Sequence, residues 1–173
     1  MPIETETLSR LPLFKGLDTT ELEEIASALM AQDVEAGKTL IREGNNEGNP
    51  IFVLLSGSVE VVKRGLDGRG HVISTLAAPS VFGEIEILAR RAAIATVNAA
   101  TAVKVAVLSR GVFDEMCNGN RPAALKMVRN LAQVLSYRLA ATDDRLAAQF
   151  DLSVSATAEK VGQVRQVIYS AWK

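Results

Sequence analysis

Cysteine and histidine occur once each in 173 residues, as Cys117 and His71. A single thiol cannot close an internal disulfide, which fits a reducing compartment and a cytoplasmic location. One Cys and one His also cannot supply the clustered ligands of a zinc-type site. No metal is expected, and no cofactor is implied. No apolar run approaches the roughly 20 residues needed to cross a bilayer, so no membrane partner is expected. The opening Met1-Pro2-Ile3-Glu4-Thr5-Glu6 is acidic and polar, unlike a secretory signal. A basic surplus is missing too. Nineteen Lys and Arg face 20 Asp and Glu, a formal charge of −1, without the excess of a free-standing nucleic-acid binder. The serines, Cys117 and His71 form no nucleophile–base pattern. His71, after the Gly68-Arg69-Gly70 turn, reads as an exposed hairpin residue, and Cys117 as a small packed hydrophobe. The chain is read as not an enzyme.

What is present is ordinary globular material, 48% hydrophobic and 23% charged, which excludes wholesale disorder. The length allows one well-buried domain with a helical appendage. Residues 1–33 read as an N-terminal helical segment. Leu11-Pro12-Leu13-Phe14-Lys15-Gly16-Leu17 forms an apolar turn, and Asp18-Thr19-Thr20-Glu21 forms a capping box. Behind it Leu22, Ile25, Ala26 and Leu29 fall at helical spacing. Residues 34–116 change to short β-branched runs broken by turn residues. Thr39-Leu40-Ile41, Ile51 to Leu55, Val59 and Val61, Val72 to Leu76, and Thr96 to Leu108 are the runs. Their spacing of about 8–12 residues predicts a sandwich or small barrel.

Residues 117–150 predict a long helix, started by Asn120-Arg121-Pro122 as cap and early-turn proline. Leu125, Val128, Ala132, Leu135, Leu139, Thr142 and Leu146 recur at steps of three and four, a heptad-like seam that predicts a homodimer. The competing reading packs the helix on its own barrel. Residues 151–173 predict a short amphipathic helix carrying Val161, Val164, Ile168, Ala171 and Trp172, with Trp172 as a packing anchor.

Five short motifs in order carry a family resemblance. They are Leu13-Phe14-Lys15-Gly16-Leu17 with Glu21-Leu22, Arg42-Glu43-Gly44, Phe52 through Val59, Phe82-Gly83-Glu84, and Ala95-Thr96-Val97. From about Leu11 to Met116 the chain resembles the cyclic-nucleotide-binding domain, the effector fold of catabolite-activator-type regulators and of cyclic-nucleotide-dependent kinase regulatory subunits. The resemblance implies a β-roll or jelly-roll barrel of about eight strands, short N-terminal helices and a long dimer-type helix. It implies a regulatory, signalling role and a small-molecule ligand lying over the turn that begins Phe82-Gly83-Glu84. Glycine there lets the backbone approach closely, and the short helix turns N–H groups toward a cyclic phosphate. Glu84 takes the role of accepting a ribose hydroxyl.

Two departures follow from carrying the motif through Ile85, Glu86 and Ile94. Ala93 stands where the family has the arginine that pairs with phosphate, a loss costing about 2–5 kcal/mol. Glu86 stands where a small residue is usual, so its carboxylate competes for the anion's place. The phosphate site therefore reads as degenerate, which favours a different ligand, neutral or cationic, or a protein-interaction role. One alternative is a true cyclic AMP or cyclic GMP sensor in which Arg91 supplies the missing charge. Another is a transcription regulator with a reduced DNA-binding tail, on the spacing of Ala158, Gly162 and Ile168. With Lys160, Arg165 and Lys173 as the tail's basic residues, and the chain stopping where further helices or a wing are expected, DNA is disfavoured as a partner.

Overall fold

The N-terminal capping box forms as the sequence predicts. Asp18 accepts the Glu21 N–H at 2.9 Å and Glu21 accepts the Asp18 N–H at 2.8 Å, starting helix α2 (Thr19–Ala28). Helix α1 (Thr5–Ser9) and a 3-10 turn over Pro12–Phe14 precede it. The computed structural model describes residues 3–144, apart from 47 and 49, together with residue 147. The expected terminal helix with Trp172, the spacing of Ala158, Gly162 and Ile168, and Leu146 of the seam lie outside these residues. Two compact units are divided after Leu131.

The first unit carries eight strands among its described residues: β1 (Met30–Val34), β2 (Thr39–Ile41), β3 (Ile51–Ser56), β4 (Ser58–Arg64), β5 (Gly70–Ala77), β6 (Ser80–Phe82), β7 (Thr96–Ala99) and β8 (Val103–Leu108). All pairings are antiparallel. They make two four-stranded sheets, ordered β1-β8-β3-β6 and β2-β7-β4-β5. The predicted roll of about eight strands is therefore present, as two sheets that do not close into a continuous barrel. Between β4 and β5 the Gly65–Gly68 turn closes the predicted hairpin, and exposed His71 lies 3.2 Å from Asp67.

Alternation along β3 and β8 explains the layers. Ile51 and Val53 of β3, with Ala106 and Leu108 of β8, join the helices in one apolar cluster. Phe52 and Leu54, with Val103, Val105 and Val107, face the second sheet in another. Both strands are thus buried on both faces over most of their length, which is why they read as nearly continuous apolar runs, interrupted in β8 by exposed Lys104. Helix α3 (Glu84–Ala89) interrupts the strands. Helix α4 (Arg110–Asn118) follows β8, its N-cap Ser109 accepting the Val112 N–H at 3.3 Å.

A turn at Gly119 to Arg121 separates α4 from helix α5, which starts at Pro122 and is helical over residues 122–144. The unit boundary falls within it. In the first unit Ala123, Ala124, Met127 and Leu131 are buried, a face next to the predicted seam rather than on it. Seam residue Val128 packs at the edge of the helical cluster, while Leu125 is 61% exposed. In the second unit Tyr137 and Leu139 are 78% and 63% exposed.

Polar contacts lock the start of α5 to the N-terminal segment. Lys126 reaches Glu21 at 2.6 Å, and buried Asn130 donates to the Leu13 and Lys15 carbonyls at 2.9 and 2.8 Å. Leaving buried carbonyls unpaired costs about 1–3 kcal/mol. Asn130→Ala is therefore expected to lower the unfolding free energy by about that amount, read as a reduced urea midpoint at unchanged slope. An unchanged midpoint would show that water replaces the amide without loss.

Candidate ligand site

The site begins where β6 ends. Phe82 pairs with Phe52 across the β3–β6 ladder, and their rings stack with centroids 4.9 Å apart and planes 9° from parallel. The chain then turns through Gly83 at φ +85°, where a Cβ would lie 2.3 Å from the Pro50 carbonyl oxygen. Glycine alone fits that close approach. Helix α3 starts immediately, and its first turn buries Glu84 to 2% exposure and Glu86 to 6%. Ile85 is half-buried and Ile87 buried. The helix ends at Arg90, itself in the left-handed region at φ +49°.

Residues 90 to 95 return the chain to β7. Ala93 is buried at 4% in the cluster shared by Ile41, Phe52, Phe82 and Val97. Its main chain is pinned twice: Gly44 N–H donates to the Ala93 carbonyl, and Ala93 N–H donates to the Asn45 carbonyl, both at 2.8 Å. The next residue is held at both ends. Ile94 N–H donates to Glu86 Oε1 at 3.1 Å, and Lys63 Nζ donates to the Ile94 carbonyl. Lys63 also bonds Glu43 Oε1 at 2.6 Å. Glu43 Oε2 accepts the Arg64 N–H, and the Glu43 N–H donates to Thr96 Oγ1, each at 3.0 Å.

Of the residues expected around the ligand, Phe82, Gly83, Glu84, Glu86 and Ala93 are buried together, and Ile85 and Ile94 are half-buried. Arg91 is exposed in the loop. Its neighbour Arg90 is engaged elsewhere, 3.0 Å from Asp114 of α4. Two open surface clefts, of about 470 and 350 Å³, are lined by residues around Val34 and around Arg42. Neither is lined by Glu84 or Glu86. Among the described residues no group of three potential metal ligands occurs, and no helix is long and apolar enough to cross a membrane.

Lys63 and Glu43 were not among the residues expected around the ligand, yet Lys63 bonds Ile94 and Glu43 bonds Thr96. Glu43 stands in a motif that carried the resemblance, but Lys63 reads in sequence as one solvated charge at the end of a valine-rich strand. Its partners lie 20 and 31 residues away, so no local pattern announces them. Cys117 is half-buried, and burial, then the Asp114 charge, push its thiol pKa up. That suits a packed thiol better than a nucleophile.

The geometry defines a class: an antiparallel β-roll with a short helix inserted between strands, displaying buried carboxylates at a glycine turn. The model of the cyclic nucleotide-binding domain matches residues 31–120, more than half the chain. The chain belongs to that family and is a regulatory module of its type. It is 36% identical over 109 residues to the cAMP-dependent protein kinase regulatory subunit of Yarrowia lipolytica, covering 63% of this chain and 28% of that protein. The regulatory subunit of a cAMP-independent protein kinase A from Trypanosoma brucei superposes with TM-score 0.63 at 34% identity, over 74% of this chain and 45% of its own. A variant of it with Glu→Ala, Thr→Arg and Val→Ala changes was solved bound to cAMP in the A site (33% identity, TM-score 0.62, 76% and 49% coverage). The Trypanosoma cruzi counterpart was solved bound to guanosine (33%, TM-score 0.61, 69% and 41%). The chain thus spans less than half of these relatives.

Two predictions follow from this geometry. Gly83→Ala forces a Cβ against the Pro50 carbonyl in a left-handed turn, and is expected to destabilise by about 1–3 kcal/mol, read by chemical denaturation. A wild-type midpoint would mean the turn can shift. Glu43 is held below the usual carboxyl value of 4.5, first by the Lys63 hydrogen bond and then by the Arg64 N–H. A depressed folded value contributes stability that is present above the unfolded value and lost as pH falls through the folded one. NMR titration of the Glu43 carboxyl carbon is expected to show a midpoint below 4.5. A midpoint at or above it would remove the Lys63–Glu43 bond from the solution structure.

Proposed function

We propose that this chain is a non-catalytic regulatory module whose ligand is a neutral nucleoside rather than a cyclic nucleotide. The observation that carries the reading is the buried Glu86 carboxylate on the Ile94 N–H at 3.1 Å, with buried Ala93 beside it. A phosphate brought against this carboxylate gains no guanidinium from position 93. Two like charges 4 Å apart cost about 4 kcal/mol at an effective dielectric near 20. A nucleoside presents hydroxyl donors instead, and carboxylates are acceptors. Glu84 and Glu86 then serve sugar hydroxyls, Gly83 gives close backbone approach, and Phe82, Ile85, Ala93 and Ile94 supply apolar walls.

Two relatives support this reading. One was solved with guanosine bound. In the other, the altered glutamate precedes the altered threonine by seven residues and the valine follows directly. The same spacing separates Glu86, Ala93 and Ile94 here. The reading includes a homodimer through α5, whose seam residues Leu125 and Leu139 are exposed at 61% and 63%.

The test is calorimetric titration of guanosine, adenosine, cyclic AMP and cyclic GMP to millimolar levels, with thermal shifts on the same sample. Saturable nucleoside binding and a flat cyclic-nucleotide response are expected. At 100 times its dissociation constant a ligand stabilises by about 2.7 kcal/mol. The combined change Glu86→Ala, Ala93→Arg and Ile94→Ala is expected to raise cyclic AMP affinity by about thirtyfold or more and to abolish nucleoside binding. Tight cyclic AMP binding by the unaltered chain, lost on Arg91→Ala, would overturn the proposal in favour of Arg91 as the phosphate cation.

A further inference from the structure

We infer that Lys63 of β4 is a positioning residue for the ligand site: it presents the Ile94 N–H by holding the Ile94 carbonyl. The inference rests on the nucleoside reading for its ligand, but its geometry stands apart from it. Ile94 uses its N–H on Glu86 and its carbonyl on Lys63. Lys63 is in turn fixed by Glu43 at 2.6 Å, whose second oxygen is fixed by the Arg64 N–H. The Glu43 N–H returns to Thr96 Oγ1, two residues past Ile94. The contacts therefore close a ring through β4, the Glu43 turn and the strand entering β7, with Ile94 as the member that faces Glu86.

Other contacts fix the neighbours of Ile94 but not Ile94 itself. Ala93 is tied to Gly44 and Asn45 by its own backbone groups, and Thr96 is paired with Val62 in the ladder. The half-buried Ile94 is the link between them. A lysine ammonium carries three donors and no acceptor. It can serve a carboxylate and a carbonyl together, which a hydrophobic side chain at the same place cannot. Its charge is largely neutralised by Glu43, so it orients the loop without offering a free cation to a phosphate. In this chain the positive charge near the loop thus sits on β4 and is committed to main-chain geometry.

The experiment uses the full chain, labelled with 15N, as wild type, Lys63→Met and Lys63→Arg. The readouts are the Ile94 amide, by chemical shift and hydrogen exchange, and guanosine affinity by calorimetry. Lys63→Met is expected to speed exchange at Ile94 by about tenfold and to weaken guanosine by a similar factor, while distant amides and the unfolding midpoint hold. Lys63→Arg is expected to restore both, because its donors can reach the same carbonyl. Glu43→Gln, which leaves Lys63 without its carboxylate, moves the Ile94 amide in the same direction and carries the test if the Met variant fails to fold. An Ile94 amide unchanged in Lys63→Met, or in Glu43→Gln where that variant stands in, would overturn the inference. If wild type binds no guanosine, the nucleoside reading fails, and the Ile94 amide alone still decides the role of Lys63.

Discussion

The close approach of Gly83 to the Pro50 carbonyl is the constraint from which the site follows. With no Cβ at that point, β6 can pass the chain directly into α3 while Phe82 stays stacked on Phe52. A Cβ there would lie 2.3 Å from the Pro50 carbonyl oxygen, so any side chain would force the turn to shift. With glycine in place, Glu84 and Glu86 enter a space almost closed to water. Burying a carboxylate is costly unless it is hydrogen-bonded. For Glu86 the compensation is local: a main-chain donor eight residues on, in the segment that the same turn brings back toward β7.

Around this turn, charge is distributed by burial. The two carboxylates lie inside, whereas Arg90 and Arg91 lie outside. Lys63 reaches the loop from the neighbouring strand and bonds both the Ile94 carbonyl and Glu43. Position 93 carries only a buried methyl group and position 86 a buried carboxylate, so no cation from these two positions enters the interior.

Much of the fold was legible because its signals are local. The Asp18–Glu21 box, the Gly65–Gly68 hairpin and the Pro122 start each depend on residues within four positions of one another, and each forms. The apolar runs of β3 and β8 were readable as strands, but which face met the helices was not, since both faces are apolar. Of the motif and the positions counted from it, Phe82, Gly83, Glu84, Glu86 and Ala93 are all buried. What sequence could not supply was direction and distance. Lys63 and Ile94 are 31 residues apart, and Glu21 and Lys126 are 105 apart. A lysine on a valine-rich strand gives no sign of whether it bonds a carbonyl or water. The heptad seam showed the opposite limit. The periodicity of α5 is real, yet the face buried first is the adjacent one, because Ala123, Ala124 and Met127 are small or flexible enough to fit against the helical cluster.

How firmly α3 is tied to the helices after β8 follows from the size of its contacts. Contacts of two kinds, one ionic and one apolar, join α3 to α4. The first is the Arg90–Asp114 pair, whose guanidinium side chain is 66% exposed. A pair so exposed contributes about 0–1 kcal/mol and is screened by salt. The second is Ile87, buried to 2% in the cluster that also holds Phe113 and Met116 of α4 and Ala124 and Met127 of α5. Burying an isoleucine contributes about 1.5–3 kcal/mol, and a close-packed interior resists small displacements. The apolar link therefore dominates. Rotation of α3 that moved Glu84 or Glu86 would have to move Ile87 as well, since they share one six-residue helix. Packing against α4 and the start of α5 is therefore the main restraint on α3, with the ion pair as a minor, salt-sensitive addition.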